Sequence, residues 1–290
     1  RGFPLIDGEA ATGRTSSERG AAPDVLLARQ DGRVVGEVLD GAGRQPRRLY
    51  VILMDGMHQT ELDDRLANDP DALPHLRRLR ARAAVLTGGS IVNFPSITWP
   101  SHTAIGTGTW GGHHDVVNPT YYLRDRRATV SPQGISMGTE GYANTAVESI
   151  YEAFHRVHPG CLTAAIHAPF GRGATHAFLE GRNLCDRTRV KLLTAEFAAD
   201  MNPRWQNEHQ SVASESLLDT RGMAQVAELL SRGDLPAPLF VYHELAVTDG
   251  AGHEYGPHSD GVAAALAETD RRIGRVLGLL DERGLFEETL

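Results

Sequence analysis

The hydrophobic pattern of the chain alternates between short, continuous apolar runs and longer segments with helical spacing. The run Leu49–Met54 is apolar throughout and ends at Asp55, as expected for a strand buried on both faces of a parallel sheet. Two later runs, 162–167 and 239–245, have the same character. We therefore predict three buried strands at the centre of the fold.

Apolar residues between these runs recur with the spacing of amphipathic helices. We predict helices over 73–83, beside an arginine-rich solvent face, and over 145–157, where Thr145 and Glu148 form a capping-box pattern. Two more helices are predicted over 214–231 and 262–280. The alternation of strands and helices predicts an α/β fold, with a mostly parallel central sheet flanked by helices.

The chain divides into three segments of different character. Residues 1–22 are rich in Gly, Ala, Ser and Arg without periodicity, which predicts a flexible N-terminal arm. Residues 23–47 contain two β-prone runs around Asp31-Gly32, which predict a small β-hairpin appendage. Residues 48–290 form the main α/β domain.

Three parts of this main domain have no clear regular pattern. We predict turn-rich polar chain over 124–144 and a long irregular region over 168–212. The residues after Arg283 resemble the exit of a helix followed by the start of another strand. We therefore expect the domain to be truncated at its C terminus in this sequence.

Composition and charge exclude several classes of function. Lys and Arg total 29 against 37 for Asp and Glu, a formal charge of -8, so we expect no broad nucleic-acid surface. No apolar run approaches the roughly 18 residues of a membrane span, and no export signal follows Arg1. The two cysteines, Cys161 and Cys185, leave open a disulfide or two inert thiols.

A hydroxyl residue bracketed by prolines is the strongest candidate for chemistry. In the stretch Phe-Pro-Ser-Ile-Thr98-Trp-Pro100-Ser-His, the second proline suits the first turn of a helix that starts just after Thr98. The positive end of a helix lowers the cost of an alkoxide, and a bound cation lowers it much further. The sequence therefore predicts a threonine nucleophile that requires a metal ion.

Metal ligands are available at the ends of two predicted strands. Asp55 follows the first strand, at the edge where ligands bind in open α/β sheets. Asp249 and His253 are four residues apart across a Gly-rich turn after the run 239–245, and a carboxylate with an imidazole suits zinc. Two ions roughly 4 Å apart can activate a nucleophile and hold a phosphoryl oxygen.

Four separated motifs carry a resemblance to a known family. They are Asp55-Gly, Pro-Ser-Ile-Thr98-Trp-Pro-Ser-His, Gly-His-His-Asp-Val-Val-Asn118 and Asp249-Gly-Ala-Gly-His253-Glu-Tyr-Gly-Pro. In this order and context they resemble the nucleotide pyrophosphatase/phosphodiesterase branch of the alkaline phosphatase superfamily. The resemblance covers about residue 48 to the end and identifies 48–290 as an alkaline-phosphatase-like catalytic domain.

The resemblance implies a role for each matched residue. Thr98 would form a covalent phospho-threonine intermediate during hydrolysis of a phosphodiester or pyrophosphate bond. Asp55 and Thr98 would bind one zinc ion, and Asp249 and His253 would bind the other. Asn118 would donate to a non-bridging phosphoryl oxygen. The expected partner is a small phosphodiester or nucleotide, and the resemblance favours a secreted or periplasmic location.

One residue has two open interpretations, and two features depart from the family pattern. Trp99 would either face the leaving group or nucleobase, or pack in the core. Asp115 stands where the family usually has glycine. The family's Asp-His-Gly motif and last zinc-binding histidine have no counterpart in the sequence, and we favour truncation over substitution by His113, His114, His167 or His176.

Other functions remain as alternatives. A sulfatase is disfavoured because the stretch after Thr98 lacks the arginine of the Cys/Ser-x-Pro-x-Arg context. A phosphomonoesterase or phosphonate hydrolase of the same superfamily stays open, since the shared core does not fix the second substituent on phosphorus. A non-catalytic binding domain that retains this fold is the alternative from a different class.

Overall fold

The computed structural model describes residues 11–13, 24–30, 33–39, 47–83, 85, 90–131, 139–200 and 203–290. Its strands are β1 Ala11–Gly13, β2 Asp24–Gln30, β3 Arg33–Leu39, β4 Leu49–Met54, β5 Tyr121–Leu123, β6 Ala128–Val130, β7 Thr163–Ile166, β8 His176–Ala177 and β9 Phe240–Leu245. Its helices are α1 Gln59–Asn68, α2 Pro74–Arg80, α3 Thr98–Thr107, α4 Gly111–His114, α5 Ile150–Val157, α6 Arg187–Asp200, α7 Pro203–Glu208, α8 Ala213–Ser231, α9 Val247–Tyr255 and α10 Asp260–Glu282.

Four parallel strands form the central sheet, in the order β4-β9-β7-β8. Leu49 of β4 lies opposite Phe240 of β9, and Thr163 of β7 lies opposite the same residue on the other side. The three predicted strands are therefore adjacent in space, but β4, at the end of this strand order, is half-buried along its length, whereas β7 and β9 are buried as predicted. Strands and helices alternate through this part of the chain, so the α/β prediction is confirmed.

Side-chain alternation along the strands divides the core between the two faces of the sheet. On one face, Ile166 and Val241 pack against α6, α8 and α10, together with a tyrosine of β4, Tyr50. On the other face, Phe240 and Tyr242 pack with residues of α5, and Trp99 of α3 packs against the same cluster. The first face is covered by long helices, and the second face carries α3.

A second, antiparallel sheet contains β1, β2 and β3 in that order. Strands β2 and β3 pair from Asp24 opposite Leu39 to Gln30 opposite Arg33, around the dipeptide on which the hairpin prediction rests. That dipeptide lies outside the described residues. So does most of the predicted flexible arm, 1–22, but Ala11–Gly13 form a strand on β2, which corrects the prediction at this point.

The N-cap of helix α5 lies four residues later than predicted, at a second capping pattern in the sequence. The helix begins after Ser149, whose hydroxyl accepts from Glu152 N, while Glu152 Oε2 accepts from Ser149 N. Thr145 and Glu148 precede the helix, so their predicted capping box is wrong. Ser149 is favoured because its hydroxyl also donates to the carbonyl of Arg172, which fixes the turn against a neighbouring loop.

Two segments predicted as irregular contain regular structure. Region 168–212 contains the 14-residue helix α6, whose Val190 and Phe197 lie buried against α8 while its charged residues are exposed. The helix could not be recognised from the sequence because its few buried apolar residues lie among many charged and turn-forming residues. Region 124–144 includes β6, which forms a short antiparallel hairpin with β5.

Helices α2 and α10 are joined by a carboxylate. Asp270 of α10 accepts hydrogen bonds from the backbone N–H groups of His75 and Leu76, at 3.3 and 2.7 Å, in the first turn of α2. The residue before α2, Leu73, offers no side-chain cap of its own. The N-terminus of α2 is therefore capped from a different helix.

Both cysteines are free thiols, which answers the question that the sequence left open. Cys185 is buried, and burial raises the pKa of its thiol to about 12. It is therefore an inert core residue. No helix of the described segments combines the length and apolar character needed to cross a membrane.

Candidate active site

The carboxyl ends of β4 and β9 meet at one edge of the sheet. Asp55, directly after β4, donates its backbone N–H to the carbonyl of Leu245 at the end of β9, at 3.0 Å. In return, the Thr248 hydroxyl donates to the Asp55 carbonyl at 2.6 Å. These two bonds hold the Asp55 turn against the segment that leads into α9, so the ligands predicted on the two strands share one edge.

The predicted nucleophile lies beside Asp55. Thr98 is the first residue of α3, and Pro100 occupies the first turn, as the sequence predicts. The Thr98 hydroxyl donates to Asp55 Oδ2 at 3.0 Å. This bond orients the hydroxyl with its proton toward the carboxylate, at the N-terminal, positive end of the helix.

Asp249 and His253 lie on a helix, which corrects the prediction of a Gly-rich turn. Both belong to α9, and the i, i+4 spacing places them on one face, with Asp249 Oδ1 at 3.5 Å from His253 Nε2. Gly250 lies where α8 approaches this helix closely. A Cβ on it would lie 3.0 Å from Glu215 Cγ, so the position favours a glycine. His253 is 82% exposed and Asp249 is 32% exposed.

The start of α9 is held by a buried carboxylate that the sequence did not indicate. Asp219 of α8 accepts from Ala246 N at 2.7 Å and from Val247 N at 3.1 Å. Burial raises the pKa of Asp219 to about 6, although the charge of Arg272 and the two backbone bonds oppose the shift. Arg272 is itself fully buried and donates to the Ser216 hydroxyl at 2.7 Å. These groups fix the helix that carries Asp249.

Negative charge is concentrated at this edge of the sheet. Burial, followed by the charge of Asp55, raises the pKa of Asp249 above its ordinary value. The same two causes, in the same order, raise the pKa of Glu244. Carboxylates crowded together away from water are stabilised by cations, so the donor set fits the metal ions that the sequence predicts.

Two polar residues next to Asp55 were not among the predicted site residues. His102, one turn after Thr98 on α3, and Glu244 of β9 are both buried, and His102 Nε2 lies 3.6 Å from Glu244 Oε1. The hydroxyl of Tyr242 lies 3.3 Å from His102 Nδ1. The i, i+4 spacing of Thr98 and His102 on a predicted helix was the available signal, whereas Glu244 lies within an apolar run.

The remaining predicted site residues are not joined to this group by hydrogen bonds. The Asn118 side-chain amide donates to the carbonyl of Thr120 at 3.1 Å, and within the described segments it has no hydrogen bond to Thr98. Trp99 is half-buried and packs against the core cluster of its sheet face. Trp99 therefore makes the core contact of the second interpretation, and its role toward a leaving group or nucleobase stays a prediction.

Asp115 has the backbone conformation that a glycine would adopt at low cost. Its φ is 67°, in the left-handed region, at the C-terminal end of α4. Aspartate is among the few other residues that tolerate this region. The departure from the family pattern therefore leaves the turn intact and adds an exposed carboxylate.

The histidines considered as substitute ligands lie elsewhere. His114 is buried and accepts from Val116 N, and His113 is exposed. His167 and His176 lie at the C-terminal edge of β7 and in β8, where Gln225 of α8 bridges their Nε2 atoms at 3.0 Å each. None of them belongs to the donor group around Asp55 in the described structure.

A surface cleft opens beside the predicted ligands. It is lined by Gly56, His58, Glu61, Asp249 and His253, among others. Gly56 has a φ of 66°, and a Cβ on it would lie 2.6 Å from the Cα of Asp249. A glycine is thus required where the turn after β4 passes α9, and this close approach brings the two predicted ligand sets together.

Comparison with known proteins shows the family and the fold. The profile of the family described as type I phosphodiesterase / nucleotide pyrophosphatase matches residues 49–290. A search of curated protein sequences finds no match.

Solved structures share the fold. The murine ectonucleotide pyrophosphatase/phosphodiesterase 5 has a TM-score of 0.58 at 16% identity, over 82% of this chain and 54% of that one. An inactive variant of the murine protein in complex with AMP has a TM-score of 0.59 at 15% identity, over 84% of this chain and 55% of that one. Phosphonoacetate hydrolase from Sinorhizobium meliloti 1021, in complex with phosphonoformate, has a TM-score of 0.52 at 19% identity, over 88% of this chain and 57% of that one. The chain thus spans little more than half the length of these structures.

Proposed function

Because this chain belongs to the type I phosphodiesterase / nucleotide pyrophosphatase family, we propose that it hydrolyses phosphodiester or pyrophosphate bonds of nucleotide-type substrates through Thr98. The observation that carries the proposal is the hydrogen bond from the Thr98 hydroxyl to Asp55 at the N-terminus of α3. This bond supports the proposal because a hydroxyl beside an anionic partner and a helix N-terminus suits a nucleophile.

The residues present fit a site for two divalent cations, for which zinc is the best candidate. Asp55 and Thr98 would hold one ion, and Asp249 and His253 the other. Burial, and after it the charge of Asp55, raises the pKa of Asp249 and that of Glu244, which supports this assignment because such crowded carboxylates are stabilised by a counter-charge. When bound, the ions would supply Lewis-acid stabilisation of the nucleophile and of the phosphoryl oxygens.

The protein's own residues define how the substrate would react. The Thr98 oxygen attacks phosphorus while Asp55, at 3.0 Å, holds the hydroxyl in position and takes up its proton. The bond from phosphorus to the leaving oxygen breaks, leaving a phosphoryl or nucleotidyl group on Thr98. Hydrolysis by water then frees the threonine. The Asn118 amide is proposed to donate to a non-bridging oxygen after giving up its bond to Thr120.

The nucleotide character of the substrate rests on the relatives. The murine protein of similar fold has been solved with AMP, and we propose a nucleotide or a related small phosphodiester as the ligand of the cleft beside Asp249. The likeness to a phosphonoacetate hydrolase favours a phosphonate as the second candidate substrate. A phosphomonoester is the remaining alternative within the superfamily.

Two further features of the chain belong to the same proposal. We assign the catalytic domain to 48–290 and an appendage to 23–47, to whose sheet the strand Ala11–Gly13 adds, and the family match from residue 49 supports the boundary of the catalytic domain. We also propose a secreted or periplasmic location, which the name of the murine ectonucleotide relative supports.

The test compares hydrolysis of bis-p-nitrophenyl phosphate, p-nitrophenyl phosphate and phosphonoacetate. It is made with zinc or manganese, on this chain and on a form extended at its C terminus. We expect the diester to be cleaved fastest, and the activity to be lost when a chelator removes the metal. Preference for the monoester or phosphonate would replace the diesterase assignment. Turnover of none of the three by either form would instead favour the non-catalytic binding domain.

A further inference from the structure

A buried group of three metal-type donors lies behind the predicted nucleophile. Donor atoms of Asp55, His102 and Glu244 all lie within 4.8 Å of one another. The three residues come from the turn after β4, from α3 and from β9, so the fold itself brings them together. Only Asp55 was predicted from the sequence as a ligand, and nothing in the family resemblance assigns the other two.

His102 presents an unsatisfied nitrogen to the two carboxylates. The residue is 1% exposed, and its Nε2 has no hydrogen-bond partner among the described residues. Its distance of 3.6 Å to Glu244 Oε1 is too long for a hydrogen bond. The Tyr242 hydroxyl at 3.3 Å contacts the opposite nitrogen, Nδ1, and so fixes the ring with Nε2 toward the group. Metal-binding histidines are held in this way by their second nitrogen.

The charge of the group calls for a cation. Glu244 is 6% exposed and Asp55 is half-buried, and in the described segments no lysine or arginine lies within 4.0 Å of either carboxylate. Two carboxylates and an imidazole nitrogen with no basic side chain among them match the donors of a divalent metal site.

We propose that Asp55, His102 and Glu244 bind a divalent metal ion, with zinc as the best match to one imidazole and two carboxylates. This position is distinct from the ion proposed beside Thr98: it lies on the buried side of Asp55, and His102 and Glu244 are its other ligands. The two positions share Asp55. The ion would fix the carboxylate that orients Thr98, so in this respect the inference deepens, and rests on, the proposed function.

The test counts bound zinc by equilibrium dialysis and elemental analysis, without substrate, and records the visible spectrum of the cobalt-substituted protein. The variants are Glu244→Gln and His102→Gln. The matched control is His176→Gln, which removes another fully buried histidine, in β8. We expect each site variant to lose one zinc equivalent, or to bind it more than about 100-fold more weakly, because loss of an outer-shell partner alone costs 10–100-fold. The control should bind zinc as the wild type does.

A milder variant covers the case in which a site variant fails to fold. Tyr242→Phe keeps the buried ring and removes only the hydroxyl that contacts His102 Nδ1. We expect it to weaken this zinc site by about 10-fold and to change the cobalt spectrum. Unchanged zinc stoichiometry, affinity and spectrum in folded Glu244→Gln, or in Tyr242→Phe if the former does not fold, would overturn the inference.

The same data separate this inference from the proposed function. A Thr98→Ala chain should keep the ion, because Thr98 is not among its ligands. Zinc that depends on Glu244 in a protein without diesterase activity would refute the function and retain the metal site. Diesterase activity with zinc binding independent of Glu244 and His102 would retain the function and refute the metal site.

Discussion

Gly56 and Asp249 are in such close contact that the first cannot carry a side chain. A Cβ on Gly56 would lie 2.6 Å from Asp249 Cα and 2.8 Å from its Oδ1, and the φ of Gly56 is 66°. The turn after β4 can approach the helix α9 this closely because Gly56 has no side chain. The distance between the two predicted ligand sets depends on this contact.

Gly56→Ala should lower the free energy of unfolding by about 2–3 kcal/mol and weaken zinc binding. The matched control is Gly284→Ala: its φ is 65°, but no atom lies within 4 Å of the added methyl group. The control should cost about 1 kcal/mol, the backbone part alone. Urea unfolding and zinc titration measure both effects. Equal losses in the two variants would contradict the crowding at Asp249.

Thr98→Ala should reduce diester hydrolysis by at least about 10³-fold with little change in stability, because it removes the proposed nucleophile. Thr107→Ala is the control, since it removes a hydroxyl of the same helix that bonds only to the Thr103 carbonyl. Steady-state kinetics and thermal unfolding are compared for both. Activity of the Thr98 variant within a few-fold of wild type would exclude Thr98 as the nucleophile.

Asp219→Asn should weaken zinc binding by Asp249 and His253, because the amide oxygen replaces only one of the two acceptors that hold the start of α9. It should also lower the free energy of unfolding by about 1–3 kcal/mol, since a buried N–H group and the charge of Arg272 lose their partner. The control is Asp64→Asn, an exposed carboxylate of α1. Zinc titration measures the affinity of the folded protein, and urea unfolding followed by circular dichroism measures the free energy of unfolding. Unchanged zinc affinity would show that Asp219 does not position α9.

The two buried histidines His167 and His243 should make the fold lose stability as the pH drops from about 6.5 toward 4, against the opposite contribution of the buried carboxyl of Asp219, whose pKa is raised to about 6. Burial lowers the pKa of His167 to about 4 and that of His243 to about 3, so both are neutral when folded but bind a proton when unfolded. At these two positions the unfolded state therefore binds more protons than the folded state below about pH 6.5, and each histidine costs on the order of 2 kcal/mol at pH 5.

Urea unfolding at pH 7.5, 6 and 5 measures this slope. His167→Gln should flatten the slope by the share of one histidine, whereas the exposed control His113→Gln should leave it unchanged. The prediction fails if His167→Gln has the same dependence of stability on pH as the wild-type protein.

Local pattern was sufficient to predict the scaffold of the site. The apolar runs of β4 and β9 and the proline in the first turn of α3 are signals within a few residues. The rule that ligands gather at the carboxyl edge of a parallel sheet then places Asp55 near Asp249 without any structure. The contact between Asp55 and Thr98 follows the resemblance, and the geometry agrees with it.

Residues that depend on long-range packing could not be predicted. Glu244 lies within an apolar run, and only the pairing of β9 with β4, together with the docking of α3, shows that it meets Asp55 and His102. The cap of α5 illustrates the same limit. The sequence contains two consecutive capping patterns, one that starts at Thr145 and one that starts at Ser149, and the choice of Ser149 depends on its contact with Arg172, 23 positions away.

The pairing of β4 with β9 also has a consequence in time. Tyr50 and His243, whose side chains meet at 2.8 Å across the two strands, lie 193 positions apart in the chain. At synthesis rates of 5–20 residues per second, the apolar strand β4 would leave the ribosome roughly 10–40 s before β9 is complete. During that interval β4 lacks its partner strand and is exposed to association with other nascent chains. We therefore expect production of the protein to depend on chaperones that bind nascent chains.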